Sequence, residues 1–330
     1  MSDGESENEG ASKAPLYDKV ALIGLGLIGS SLARAIKRGA LAGRIDGHAR
    51  SERTRDLSMK LGFLDQVHAR AEDAVKDADL VVICTPLGAY EAVLEVIGPH
   101  VKPGATVTDV GSCKGAVADG FARHLGPGVH GVPGHPVAGT ENSGPDAGFA
   151  ELFENRYCIL TPTPETDRAA LERLSTLWRA VGSIVELMDA RHHDRVLAIT
   201  SHLPHLIAYT IVGTASDLES QLKREKADQA AIVETQEVIK YSAGGFRDFT
   251  RIAGSDPVMW RDVFTQNREA VLEMLGRFQE DLVALQRAIR WGEADKLEDW
   301  FTRTREIRRG VVELRQAGRF SPTEGDEAKD

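Results

Sequence analysis

The chain has 330 residues, 42% hydrophobic and 27% charged. That composition excludes collagen, mucin and coiled-coil rods and, at about 100–200 residues per domain, predicts two globular domains. Fifty acidic against forty basic side chains leave a net charge of -10, which repels phosphate backbones and anionic lipid, so neither nucleic acid nor a membrane surface is expected as a partner.

In chain order, residues 1–16 are acidic and lack an apolar stretch, so they read as a disordered tail rather than a secretory or transit leader. Residues 17–189 alternate short β-branched runs (VALIG, RIDGH, DLVVIC, ATVTDV, VHGV, RYCIL, SIVELM) with helical patterns such as 89–97 and 114–125. This alternation predicts an α/β fold, a doubly wound Rossmann-type sheet covered by helices. The longest apolar run, Val20 to Gly29, is interrupted by glycine and falls short of the about 20 residues of a bilayer span. Cys84, Cys113 and Cys158 are odd in number and lack CxxC spacing, which fits a reducing cytoplasm and indicates neither a disulfide framework nor zinc.

From 190 to 316 strand signals stop and an all-α C-terminal domain is expected, with a helix over 191–212 and one long helix from Pro257 to about Ile289. Ser255 or Asp256 caps the latter, and Val271, Leu275, Phe278, Leu282, Leu285 and Ile289 follow at spacings of three and four. Such a seam wants a partner: either a second chain, giving a homodimer, or an intrachain bundle. Residues 317–330 read as a flexible tail.

The strand VALIG leads into Gly24, Gly26 and Gly29 as GxGxxG, followed by a helical run. In that context the first glycine serves a tight turn, the second the approach of a pyrophosphate, and the third close helix packing. Leu27 and Ile28 in the turn, and Thr85 and Pro86 after DLVVIC, complete the candidate cofactor contacts, with the phosphates on the helix N-terminus. An acid about 20 residues on would take the ribose hydroxyls of NAD. The chain offers Ala49, Arg50 and Ser51 there, and Asp46 comes too early for the strand tip. NAD and NADP both remain open: Arg50 either pairs a 2′-phosphate or is a solvated loop cation.

Two further strings fall where strand ends face a nicotinamide: DVGSCKG, with Ser112 and Lys114, and GHPVAGTENSG, with His135, Thr140 and Glu141. Downstream lie SHLPH, with His202 and His205, and FRDFTRIAGSDPVMW, with Arg247, Asp248 and Arg251. A histidine base and an arginine suit oxidation of an alcohol on an anionic substrate. Each residue also has a plainer reading. Ser112 can be a helix N-cap, Lys114 a solvated residue or a general acid, His135 part of a turn before Pro136, and Arg251 a helix cap or surface partner of Asp248. Met259 and Trp260 read as core. The HxxH spacing of His202 and His205 has no third ligand cluster, so no metal is expected.

Together these strings resemble the prephenate/arogenate (cyclohexadienyl) dehydrogenase family from about Lys19 to Ile307. The resemblance implies oxidative decarboxylation of prephenate or arogenate to 4-hydroxyphenylpyruvate or tyrosine, with hydride passed to NAD(P). It implies His135 as base at the ring hydroxyl, Ser112 as a second hydroxyl contact and Arg251 as anchor of the ring carboxylate. His205 would lie near the substrate side chain with Thr140, and Glu141 and Asp248 in an ionic network at the entrance. The alternative is a β-hydroxyacid or imine-reducing dehydrogenase on the same two-domain plan, which expects a catalytic Lys or Asp where this chain has SHLPH. With ends this short, neither the chorismate mutase nor the ACT domain of some relatives is expected.

Overall fold

The computed structural model describes residues 14–140, 142–227 and 243–313. It divides into two compact units, Met1–Val271 and Leu272–Asp330. In the first, β1 (Tyr17–Ile23), β2 (Ala42–His48), β3 (Gln66–His68), β4 (Leu80–Ile83), β5 (Thr106–Asp109) and β6 (His130–Gly131) form one sheet in the order β3-β2-β1-β4-β5-β6. Every pairing in it is parallel. Alternate residues of β1 feed two cores: Val20 and Leu22 pack with Leu32, Ile36, Leu177 and Trp178, while Ala21 and Ile23 pack with Ala74, Leu94, Val117 and Phe121. The first face is covered by α1 (Leu27–Arg38) and α6 (Arg168–Ala180), the second by α3 (Ala71–Val75), α4 (Tyr90–Ile97) and α5 (Gly115–His124). A strand buried on both faces needs apolar side chains at every position, which is why VALIG reads as a run rather than an alternation. Glu52–Lys60 forms α2, packed beside β3.

RYCIL and SIVELM lie outside this sheet. They are β8 (Tyr157–Leu160) and β9 (Ile184–Leu187), and with β7 (Gly134–Pro136) they make a separate three-stranded sheet in the order β7-β8-β9. β7 pairs antiparallel with β8, His135 opposite Ile159. His135 is therefore a strand residue rather than part of a turn. Pro136 is tolerated because it ends so short a strand.

The helix expected over 191–212 is present with one modification: α7 (Ala190–Leu197) widens into a π turn over Ala198–His202 before α8 (Leu203–Ala227). Pro204 lacks an N–H and cannot close the ordinary helical bond, and a π turn absorbs the mismatch. By length and composition alone, Ala190–Leu222 is also apolar enough to cross a membrane. His193, Asp194 and His202, which this stretch carries, are instead buried against the first unit's own residues.

The single long helix expected from Pro257 to Ile289 is two. After α9 (Gly244–Thr250) come α10 (Pro257–Gln266) and α11 (Arg268–Trp291), interrupted at Asn267. Asn267 leaves helical geometry (φ -101°, ψ 34°), and its buried amide donates to the carbonyl of Asp194 at 2.8 Å. A buried side-chain hydrogen bond outweighs one helical residue's propensity. Asp256, rather than Ser255, caps α10, accepting from the amides of Val258 and Met259 at 2.7 and 3.2 Å. Trp260 is core, but Met259 is exposed, because adjacent helical residues point about 100° apart.

The second unit carries most of α11 and α12 (Ala294–Glu313). Gly292 ends α11 with φ 65°, and the amide of Glu293 closes back on the carbonyl of Ala288 at 2.9 Å, the left-handed stop that glycine adopts without strain. Leu282, Val283, Ile289, Trp291, Phe301 and Ile307 are exposed on this unit.

Candidate active site

The three glycines after β1 differ in what surrounds them. Gly24 has φ 104° and a Cβ there would meet the backbone of Cys84 at 2.6 Å, so both conformation and space require glycine. A Cβ on Gly29 would strike the carbonyl oxygen of Gly24, which holds α1 against the turn. At Gly26 a Cβ would meet nothing within 4 Å. Internal packing therefore does not explain Gly26, whereas a ligand resting on the turn does. Gly26 is the N-cap of α1 without a side-chain cap, and no acid occupies the first turn, so the helix keeps amides at Leu27 and Ile28 for an anion. Next to the turn, the buried Thr85 hydroxyl has no hydrogen-bond partner, and Pro86 follows it in the loop after β4. These residues fit a dinucleotide.

At the tip of β2, Ala49 is buried and Arg50 exposed. The guanidinium of Arg55 donates to the carbonyls of both, at 2.8 and 2.9 Å, fixing the loop. The Ser51 hydroxyl accepts from the amide of Thr54 at 3.1 Å as N-cap of α2. Asp46 lies inside the strand, wholly buried and bound by Lys19, Arg44 and His68. Positions 49–51 carry no acid, and the next one, Glu52, stands exposed in the first turn of α2.

The segment between β5 and α5 holds a buried ion pair. Lys114 and Asp109 are both inaccessible to solvent and bonded to each other, and together they grip Gly134. Its carbonyl accepts from the Lys114 ammonium at 2.6 Å, and its amide donates to Asp109 at 3.0 Å. A Cβ on Gly134 would lie 3.1 Å from the carbonyl oxygen of Asp109, so glycine lets β7 approach β5. The clamp thereby sets the backbone just before His135. Lys114, buried and bonded through its ammonium to Asp109 and to the carbonyl of Gly134, is not a solvated cation. Ser112 is half-buried and is not the N-cap of α5; Lys114 holds that position. The amides of Lys114 and Gly115 donate instead to Asp194 from α7, at 2.7 and 2.9 Å.

His135 sits in this pocket of charge, 8% exposed. Its Nδ1 lies 2.8 Å from Nε2 of His193, and Nδ1 of His193 lies 2.9 Å from the Asp194 carboxylate. Burial holds the His135 imidazole well below its ordinary pKa, and His193, Lys114 and His202 push the same way. Asn267 links outward, its amide 3.1 Å from Nδ1 of His202. Burial lowers His202 to about 4.

The indole of Trp260 stands edge-on to His202 and stacks on His205 with ring centres 3.7 Å apart. His205 Nδ1 lies 2.8 Å from the carbonyl of Ser201. Its pKa is lowered first by burial and then by the nearby charge of Arg251. Arg251 is exposed on the turn Arg251–Gly254. Asp248 is exposed on α9, and no ion pair joins it to Arg251 among the described residues. Thr140 is half-buried and its hydroxyl accepts from the amide of Asn142 at 3.2 Å. Glu141 lies outside the described residues, as do most of both tails.

The contiguous motifs and the family resemblance they carry single out His135, Ser112, His205 and Arg251 but pass over Asp109, His193, Asp194 and Asn267. The HHD string upstream of SHLPH was the available signal. It carries no spacing signature, because its partners lie at the start of α5, on β7 and at Asn267 between α10 and α11.

The family model for the prephenate dehydrogenase nucleotide-binding domain matches residues 32–187, and that for the prephenate dehydrogenase dimerization domain matches 189–303. The cyclohexadienyl dehydrogenase of Zymomonas mobilis is 40% identical over 293 residues, covering 89% of this chain and 96% of the relative. The prephenate dehydrogenase of Bacillus subtilis is 33% identical over 304 residues, 92% of this chain and 78% of the relative. Among solved structures, the prephenate dehydrogenase of A. aeolicus in complex with hydroxyphenyl propionate and NAD+ superposes with TM-score 0.78 at 32% identity, covering 92% of this chain and all of that one. The β-hydroxyacid alternative is not favoured by these matches or by the engaged Lys114. With its parallel nucleotide-binding sheet, helical C-terminal region and buried histidine cluster, the chain belongs to the prephenate dehydrogenase family of nicotinamide-dependent oxidoreductases.

Proposed function

We propose that the enzyme oxidatively decarboxylates prephenate, arogenate or both, in tyrosine biosynthesis, with His135 as the base at the ring hydroxyl. The observation that carries this reading is the burial of His135. Its imidazole is kept neutral at physiological pH, with Nδ1 engaged by His193, so Nε2 is the nitrogen available to a substrate. A nicotinamide held at the glycine turn would supply the hydride acceptor. As the ring C–H bond breaks, His135 takes the hydroxyl proton; when the ring carboxylate departs as CO2, its bonding pair aromatises the ring and the oxygen takes the proton back. Ser112 beside the clamp is the second contact to that oxygen. Arg251 anchors a carboxylate through charge-assisted hydrogen bonds, and His205, stacked on Trp260, lies toward the side chain with Thr140, Glu141 and Asp248.

Gly24, Gly26, Leu27, Ile28, Gly29, Thr85 and Pro86 hold the dinucleotide. The β2 tip lacks a ribose-binding acid and presents Arg50, so NADP is admitted alongside NAD. The family's dimerization domain supports a homodimer through the C-terminal helices.

Parallel assays of kcat/KM with prephenate and arogenate, each with NAD and NADP, test the substrate and cofactor readings. Turnover of neither cyclohexadiene would refute the function, and absolute NAD preference would refute the Arg50 role. His135→Asn should lower kcat by about 10²–10⁴ with nucleotide affinity unchanged; near-parent turnover removes the assigned base.

A further inference from the structure

His135 stands at the head of a line of buried groups whose hydrogen-bond directions can be worked out from the far end. Burial works to raise the Asp194 carboxyl, but hydrogen bonds from His193 and from the amides of Lys114 and Gly115 outweigh it and hold it below the ordinary carboxylate range. An ionised carboxylate only accepts, so Nδ1 of His193 carries hydrogen. Burial keeps His193 neutral as well, which makes its Nε2 a lone pair. His135 Nδ1, 2.8 Å away, must then donate. The remaining nitrogen of His135, Nε2, is left bare, the form a base needs.

Burial and the neighbouring His193, Lys114 and His202 all disfavour a proton on His135 itself, so a transient imidazolium has to be balanced through His193. His193 on α7, Lys114 at the start of α5 and His202 in the π turn act on His135, and Asp194 on α7, Lys114 and Asp109 at the end of β5 act on His193. Lys114, although ion-paired with Asp109, still pushes the His135 pKa down. The Asp194 carboxylate favours positive charge on His193, and through that ring it is the group able to balance an imidazolium. His193 is fully buried, so water does not compete for either hydrogen bond.

We propose that His193 and Asp194 are positioning residues, which hold His135 in the tautomer with hydrogen on Nδ1 and the lone pair on Nε2 and share the positive charge while the substrate's proton rests there. The proposal presupposes His135 as the base. In balance, the hydroxyl O–H bond breaks and an N–H bond forms at Nε2 of His135. The cation is stabilised through His193 by Asp194, and the same proton returns to the oxygen when the ring aromatises, so no net proton leaves by this route.

The test compares His193→Leu, which removes the acceptor, with His193→Gln, whose amide oxygen reaches the place of Nε2, and with Asp194→Asn. His135→Asn is assayed beside them. His193→Leu should lose about a hundredfold or more in kcat with both KM values within about threefold, and His193→Gln should regain at least about tenfold of that loss. Asp194→Asn should move the acid limb of the kcat profile to lower pH, because without the carboxylate the imidazolium is less stable. Merely structural residues would change KM and melting temperature together with kcat, give no rescue by glutamine and leave the limb in place; that pattern overturns the proposal. His193→Leu turning over within about threefold of the parent while His135→Asn is inactive overturns it too, with the base itself untouched. A fully active His135→Asn instead removes the base, a result distinct from both. Should His193→Leu fail to fold, His193→Gln and Asp194→Asn decide the matter through the split and the limb.

Discussion

His135, His193, His202 and His205 share one property: each is held below the ordinary imidazole pKa, and in each burial is the largest cause. The sign of the consequence follows by linkage. The unfolded chain takes protons at these residues near pH about 6.5 while the folded chain does not. Stability is therefore undiminished above that pH and is lost as pH falls below it, until the folded values are reached, about 4 for His202. The depressed carboxyls of Asp46 and Asp194 add a further loss at lower pH still. Melting temperature measured from pH about 7.5 down to about 5 should fall steadily, before ordinary carboxylates titrate. A flat curve over that window would mean that these imidazoles are not buried neutral.

At the scale of the element, the glycine turn separates fold from ligand. Gly24 and Gly29 are required by the backbone atoms they approach, while Gly26 borders open space. Gly29→Ala should therefore cost stability outright, and Gly26→Ala should leave the melting temperature within a degree or two, about what a surface change gives, yet weaken nucleotide binding. Thermal unfolding and quenching of protein fluorescence by NAD and NADP check the pair. Equal stability losses in both variants would show that Gly26 is also a packing glycine. Helix interruptions obey the same logic of local rule against tertiary demand. The π turn at Ala198–His202 has its cause close by in the chain, at Pro204, although the sequence reads there as an unbroken helix, whereas the break at Asn267 depends on a carbonyl 73 positions away.

At the scale of the whole molecule, the second unit leaves large apolar side chains in solvent. Trp291 is 70% exposed and Ile289 67%, more than isolated surface residues of a monomer explain when Leu282, Val283, Phe301 and Ile307 accompany them. Light scattering after size exclusion should report twice the 35.8 kDa chain mass. Trp291→Asp combined with Ile289→Asp should shift it toward the single chain, since charges in an apolar interface go unpaired. A parent protein running at single-chain mass would refute the dimer.

What the sequence determined by itself was whatever depends on near neighbours along the chain. The parallel sheet follows from β-branched runs alternating with helical periods, the glycine turn from its place between strand and helix, and a helix start at Pro257 capped by Ser255 or Asp256 from the proline itself, the choice of Asp256 being left to the structure. His135, Ser112, His205 and Arg251 could be picked out because their motifs are contiguous. Tertiary structure alone decided which strands left the main sheet, since RYCIL is as apolar as the strands that stayed and only β7 gives it an antiparallel partner. It alone decided that Lys114 is clamped on Asp109 and that His193 and Asp194 stand behind His135. Hydrogen bonds between groups 58 or 80 residues apart leave no periodic trace, and burial, which sets the protonation of every imidazole in the cluster, exists only once the two layers have closed over it.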